Sequence, residues 1–257
     1  ESTLGLVTGQ EKTNTEVNDK YGNKVMVPAG FKVINPEASV LEGIVIEDIS
    51  AGDATTKGNQ YVWVPVGNVK TNTKGDLMPI NLGRYTFESN GTETIRQSAD
   101  DYTSTITIDT FYQELSSSSY GNIVAKNLGD FIIKTKNAGG YYIGRYEAGK
   151  VEGNTETFNV KEGQEVYNEI TQPNAANLAR NLYSSNSNFQ SDLINSYAWD
   201  TAVVYIQTFS GDTDYSKQLG NNEKDSLQKT GTNILSDDNK LDVRCNIYDI
   251  AGNTSEW

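Results

Sequence analysis

The residues best equipped for chemistry lie late in the chain, in Ala251-Gly252-Asn253-Thr254-Ser255-Glu256. Gly252 permits a tight backbone turn that can aim successive carbonyls inward. Glu256 adds anionic oxygens. Together they hold the ingredients of a hard-cation site, since calcium takes about 6–8 oxygens at roughly 2.3–2.6 Å. The alternative is that Asn253 and Glu256 only hydrogen-bond the turn. A second acidic group, Asp212, Asp214, Asp237, Asp238 and Asn239, falls in the loop-like stretch 210–240. It lacks the mid-loop Gly and closing Glu of an EF-hand, so it reads as a solvated acidic loop.

The absences narrow the chemistry further. The chain has 257 residues and no histidine. That removes the usual general base near neutral pH, the His-dependent triads and imidazole metal sites. Its one cysteine, Cys245, can form neither an internal disulfide nor a thiolate cluster. A free cysteine of this kind reads as a small buried residue. With 21 Lys and Arg against 34 Asp and Glu, the net charge is −13. This argues against a nucleic-acid surface, which needs clustered cations, and equally against an anionic membrane. No apolar run reaches the roughly 18 residues of a spanning helix, so no membrane insertion is expected.

The elements that must position these residues are legible in part. The length allows one large domain or two small ones, and 15 Tyr, 7 Phe and 3 Trp supply bulky core material. Residues 1–24 are polar and turn-rich and read as a connector before a domain over 25–257. Val25–Val33 reads as two extended segments punctuated by Pro28 and Gly30. Gly43–Asp48 is a β-branched strand, and Gln60–Val66 alternates in period two, with Pro65 placing it at an edge or ending it there. Gly83–Phe87 and Thr103–Phe111 read as further strands, and residues 127–134 as a short helix. Ser116–Ser119 reads as a solvated loop tip.

Tyr141–Glu147 reads as a central strand, on which Arg145 and Glu147 share a face and serve structure. Gln172–Tyr183 is a helix with Pro173 at its start. A second main helix runs from about Trp199 to Phe209. Its stripe of Trp199, Ala202, Val203, Ile206 and Phe209 faces the core, and Asp200 lies where a carboxylate complements a helix N-terminus. Full burial of Trp199 would contribute about 3 kcal/mol.

Three stretches also carry a resemblance. Gly139-Gly140-Tyr141-Tyr142-Ile143-Gly144-Arg145-Tyr146-Glu147-Ala148-Gly149, Ser196-Tyr197-Ala198-Trp199-Asp200 and Cys245-Asn246-Ile247-Tyr248-Asp249-Ile250-Ala251-Gly252-Asn253-Thr254-Ser255-Glu256-Trp257 together resemble the signatures of the formylglycine-generating enzyme, or sulfatase-modifying factor, family. The resemblance implies an α+β fold of the C-type-lectin-like type, with short mixed strands and two main helices. The chain ends at Trp257 inside the closing signature, which reads as a C-terminally incomplete domain. Carried over by motif, Ala251, Gly252 and Thr254 would give backbone carbonyls, and Glu256 its carboxylate, to a structural calcium ion. Ser255 departs from the Trp usual there, which removes a packing anchor. Arg145, Glu147, Trp199, Asp200 and Asn253 are the structural motif residues.

Catalytic members of this family use a cysteine pair after the closing signature, and Cys245 matches neither position. The histidine-dependent iron sulfoxide synthases, similar in fold, are excluded. The segments Val27–Phe31, Gly43–Asp48 and Tyr61–Val66 are similar to those preceding the family domain in surface proteins of Gram-positive gut bacteria. The expected function is therefore a non-catalytic extracellular binding or adhesion module of a bacterial surface or pilin-like protein, taking a glycan or protein ligand. The alternatives are a formylglycine-generating oxidoreductase whose cysteines lie beyond Trp257, and a diversified ligand-binding protein of a phage or its host.

Overall fold

The computed structural model describes residues 1–102, 128–218, 227–235 and 240–254. The expected strand over Thr103–Phe111, the Ser116–Ser119 loop tip, Asp237, Asp238, Asn239, Ser255 and Glu256 lie outside the described residues. The chain is mixed α+β, built from short strands in several small sheets with three α-helices among the described residues.

The largest sheet is antiparallel and four-stranded. It is formed by β3 (Phe31–Val33), β4 (Val45–Asp48), β5 (Gln60–Pro65) and β10 (Gly140–Gly144), in the order β10-β5-β4-β3. β5 ends at Pro65, as a residue without an N–H requires. The expected alternation along it is not observed, because Val62, Trp63, Val64 and Pro65 are all buried. The helix over Ser196–Phe209 packs against this strand, and with consecutive residues buried, period-two polarity has no solvent face to follow.

The strand expected over Tyr141–Glu147 is shorter and differently placed. β10 stops at Gly144 and forms an edge of this sheet among the described residues. Arg145 and Glu147 therefore lie past its end.

Hairpins surround this sheet. They are β1 (Thr15–Asn18) with β2 (Lys24–Val27), β6 (Gly67–Lys70) with β7 (Leu77–Ile80), and β8 (Gly83–Phe87) with β9 (Glu93–Ser98). Later come β11 (Gly149–Val151) with β12 (Asn154–Asn159), and β13 (Val243–Arg244) with β14 (Ile247–Tyr248). Residues 1–24, expected as a connector, carry structure of their own. Leu4, Val7 and Val17 are buried in the main core, and β1 pairs with β2. Three apolar side chains at wide spacing suffice for this, which composition alone obscured.

The helices are α1 (Leu128–Ala138), α2 (Gln172–Asn181) and α3 (Ser196–Phe209). Pro173 sits in the first turn of α2, where its missing N–H is harmless. α3 starts earlier than expected because the Asn195 side chain caps it, accepting from Ala198 N at 3.0 Å. It is buried on most of its circumference rather than along one stripe, with Tyr197, Ala202, Val203, Val204, Tyr205 and Ile206 all in the core. Hydroxyls at two levels tie it to the rest of the fold. Tyr205 donates to Val40 O at 2.7 Å, and Tyr141 on β10 donates to Ala198 O at 2.5 Å. Trp199 is half-buried against this core rather than fully enclosed, so it realises only part of the burial energy expected of it.

Candidate functional site

Past the end of β10 the chain meets the closing segment. Arg145 N donates to Gln60 O at 3.0 Å, and Tyr248 N donates to Arg145 O at 2.9 Å. The Arg145 guanidinium carbon lies 5.4 Å from the ring centroids of both Tyr146 and Tyr248, whose rings are 4.9 Å apart. Its Nη1 donates to Gln60 Oε1 at 2.7 Å. Arg145 is thus held by two aromatic faces and an amide in a cation–π clamp.

The closing hairpin turns at Cys245 and Asn246, both with positive φ (48° and 62°). A two-residue turn matching strand twist needs that geometry. Asn246 suits it, whereas cysteine gives no such signal in sequence. The tip sits against the entry to β4, where the Asn246 amide donates to Glu42 O at 2.9 Å and to Gly43 O at 3.0 Å. Cys245 is half-buried, and burial pushes its thiol up to about 12, so it is kept as an unreactive thiol.

Three carboxylates then fasten the segment. Glu147 Oε1 accepts the Thr254 hydroxyl at 2.6 Å, and its Oε2 accepts the Asn253 side-chain amide. Asp242 accepts the Tyr215 hydroxyl at 2.6 Å and Ala251 N at 2.8 Å. Asp249, fully buried at φ 61°, accepts Gly231 N and, at 3.3 Å, Asn233 N. Burial raises all three above the usual carboxylate range and takes Asp249 to about 7, with the charges of Glu147 and Asp242 adding to the effect there. Sequence reading passed over Asp242 and Asp249. Asp249 stood within the closing signature, but only the folded chain brings it beside Asp242 and the 231–233 backbone.

The expected acidic cluster is divided among cations. Asp212 takes Arg244 Nη2 at 2.8 Å, and Asp214 takes the Lys217 ammonium. Asp200 does not serve the helix N-terminus, since α3 begins at Ser196 and Asp200 lies beyond its first turn. Its Oδ2 instead accepts Arg84 Nε at 2.7 Å and Tyr85 N at 2.8 Å, anchoring β8 to α3.

Of the expected cation ligands, Ala251 and Gly252 are buried and the Thr254 hydroxyl is engaged with Glu147. Their backbone carbonyls are neutral, so the anionic donor of such a site would have to be Glu256. Among the described residues no group of three or more His, Cys, Asp or Glu is arranged to hold a metal ion.

Beside the Glu147 latch lies a groove of about 590 Å³. Glu147, Asn253 and Thr254 line it together with Phe158 of β12 and Ala175 and Leu178 of α2. Leu193 and Ile194, which precede α3, complete an apolar lining, and Tyr167 and Glu169 join it from the segment before α2. Glu169 is held at φ 57°, a left-handed conformation that is unusual for a glutamate. No sequence period links these segments, so the groove was not legible before folding.

No protein-family model, characterised protein or solved structure matches this chain.

Proposed function

We propose that this chain is a non-catalytic binding module whose ligand seats in the groove beside Glu147. The observation that carries the reading is the groove itself. Its volume, about 590 Å³, lies in the range of small-ligand sites, and its lining combines apolar side chains with a few placed polar groups. The neighbouring titratable groups favour binding over turnover. Glu147, Asp242 and Asp249 accept from backbone N–H groups, amides and hydroxyls that hold the segment together, and the one thiol is kept protonated by burial.

The motifs described above support a finer assignment, a C-type-lectin-like domain of the sulfatase-modifying-factor type. In that reading the module is displayed outside a bacterial cell on a surface or pilin-like protein and engages a glycan or protein partner. No helix among the described residues is long and apolar enough to cross a membrane. Calcium bound by the carbonyls of Ala251, Gly252 and Thr254 with Glu256 would stiffen the closing loop that borders the groove.

Glycan and protein arrays probed with the native chain and with Ala175→Trp test the groove. The expected result is selective binding that is lost when the tryptophan fills it, at unchanged melting temperature. Equal binding by a folded Ala175→Trp variant would overturn the reading.

A further inference from the structure

We infer that the groove accepts an alkylammonium group, the side chain of a lysine presented by a protein partner, with its charge seated on Glu147. This rests on the groove being the binding site. Among the described residues its lining carries the carboxyls of Glu147 and Glu169 and no lysine or arginine. The chain as a whole carries −13. An anionic ligand would therefore meet like charge at both ends of its approach, whereas a cation gains from each.

Glu147 is prepared for this role. Its described partners are the Thr254 hydroxyl and backbone N–H and the Asn253 amide, all neutral. A carboxylate offers about four acceptor positions, so roughly one remains for the ligand. Those hydrogen bonds already fix the carboxylate, and little ordering is left for the ligand to impose. Asn253 is itself held, since its Oδ1 accepts Gln228 N at 2.8 Å.

The geometry selects among cations. A guanidinium prefers both oxygens of a carboxylate in a planar fork. Here each oxygen is already engaged on one side, which suits the compact ammonium better. The walls select the rest of the ligand. Phe158, Leu178 and Ile194 offer apolar surface to a four-carbon stem, and Tyr167 adds an aromatic face whose hydroxyl is tied to Thr155 O at 2.7 Å. An amino sugar also brings an ammonium, but its ring hydroxyls would lose water against these apolar walls without compensating partners.

The test is calorimetric titration of the full chain with a lysine-bearing hexapeptide. Controls are the same peptide carrying norleucine or acetyllysine, and a glucosamine oligosaccharide. The lysine peptide should bind at least about tenfold more tightly than either modified peptide. Glu147→Gln, which keeps an acceptor for Thr254, should remove that preference. Leu178→Lys, which places a competing ammonium in the groove and leaves the latch intact, should abolish lysine-peptide binding.

Equal affinity for the lysine and norleucine peptides would overturn the ammonium seat while leaving the groove as a site. Binding of the oligosaccharide in place of the peptide would overturn the lysine assignment in favour of an amino sugar. Absence of lysine-peptide binding at millimolar concentration would overturn the inference outright, and the array result with Ala175→Trp would then judge the groove separately.

Discussion

The Thr254 hydroxyl donates to Oε1 of Glu147 at 2.6 Å across a separation of 107 residues. This contact latches the closing segment to the chain leaving β10 and forms part of the groove lining. Thr254→Val keeps the shape and removes the donor. It should destabilise the fold by about 1–2 kcal/mol in urea unfolding, because a half-buried carboxylate oxygen loses a partner. Thr254→Ser should recover most of the loss. Equal stability of the valine variant would show that solvent replaces the latch.

Stability should depend on pH through Asp249. Burial raises its carboxyl from 3.8 to about 7, so the folded chain holds this proton more tightly than the unfolded chain. Between about pH 4 and pH 7 the folded state carries the extra proton, and its stability falls as pH rises through that window. Glu147 and Asp242 shift in the same direction and steepen the fall. One proton corresponds to a slope of at most about 1.4 kcal/mol per pH unit. Asp249→Asn should flatten that part of the profile, measured as the difference from the native chain. An unchanged profile would show that Asp249 titrates normally.

Gly43 should tolerate no side chain. It has φ 88°, and a Cβ there would run into the Cys245 carbonyl at the tip of the closing hairpin. Gly43→Ala combines left-handed strain with a backbone clash and should lose about 2–4 kcal/mol. Amide exchange should rise in β13 and β14 before it rises in β5.

Asp200 joins α3 to β8 through Arg84 and the Tyr85 amide. Both partners are partly shielded, with side-chain exposures of 35% for Arg84 and 11% for Asp200. Asp200→Asn should therefore reduce stability by about 1–2 kcal/mol, the range for a charge-assisted hydrogen bond. The β8–β9 hairpin should exchange its amides faster. Exchange confined to α3 instead would show that the carboxylate serves the helix and not the hairpin.

Calcium should raise the melting temperature, and chelator should reverse the rise. The stabilisation should grow with free calcium, reaching about 2.7 kcal/mol at a hundredfold excess over the dissociation constant. Glu256→Ala should remove it. A melting temperature indifferent to calcium would leave the closing loop held by its hydrogen bonds to Glu147, Asp242 and Gln228.

Much of the local structure was legible because its causes are local. β-branched residues at 45, 46, 62 and 64 favour strands, Pro173 opens α2, and Ala, Val and Ile at helical spacing predict most of α3. Where expectation failed, a distant partner was responsible. The helix was extended to Ser196 by an Asn195 cap that looks like any loop asparagine. Asp200 was drawn to Arg84, which is 116 residues away. The strand over Tyr141–Glu147 ended at Gly144 because Arg145 turned toward Tyr248.

The sequence by itself determined what chemistry is missing and where most short elements begin, since composition and propensity need no contacts. It determined that no histidine or thiol pair is available and that the chain is strongly acidic. Only the tertiary structure decided which carboxylates are buried and what they hold. Nothing in the sequence marks Glu147, Asp242 or Asp249 as buried. Their raised proton affinities come from burial that only the folded chain provides, and the groove beside Glu147 exists only once several separate segments have packed.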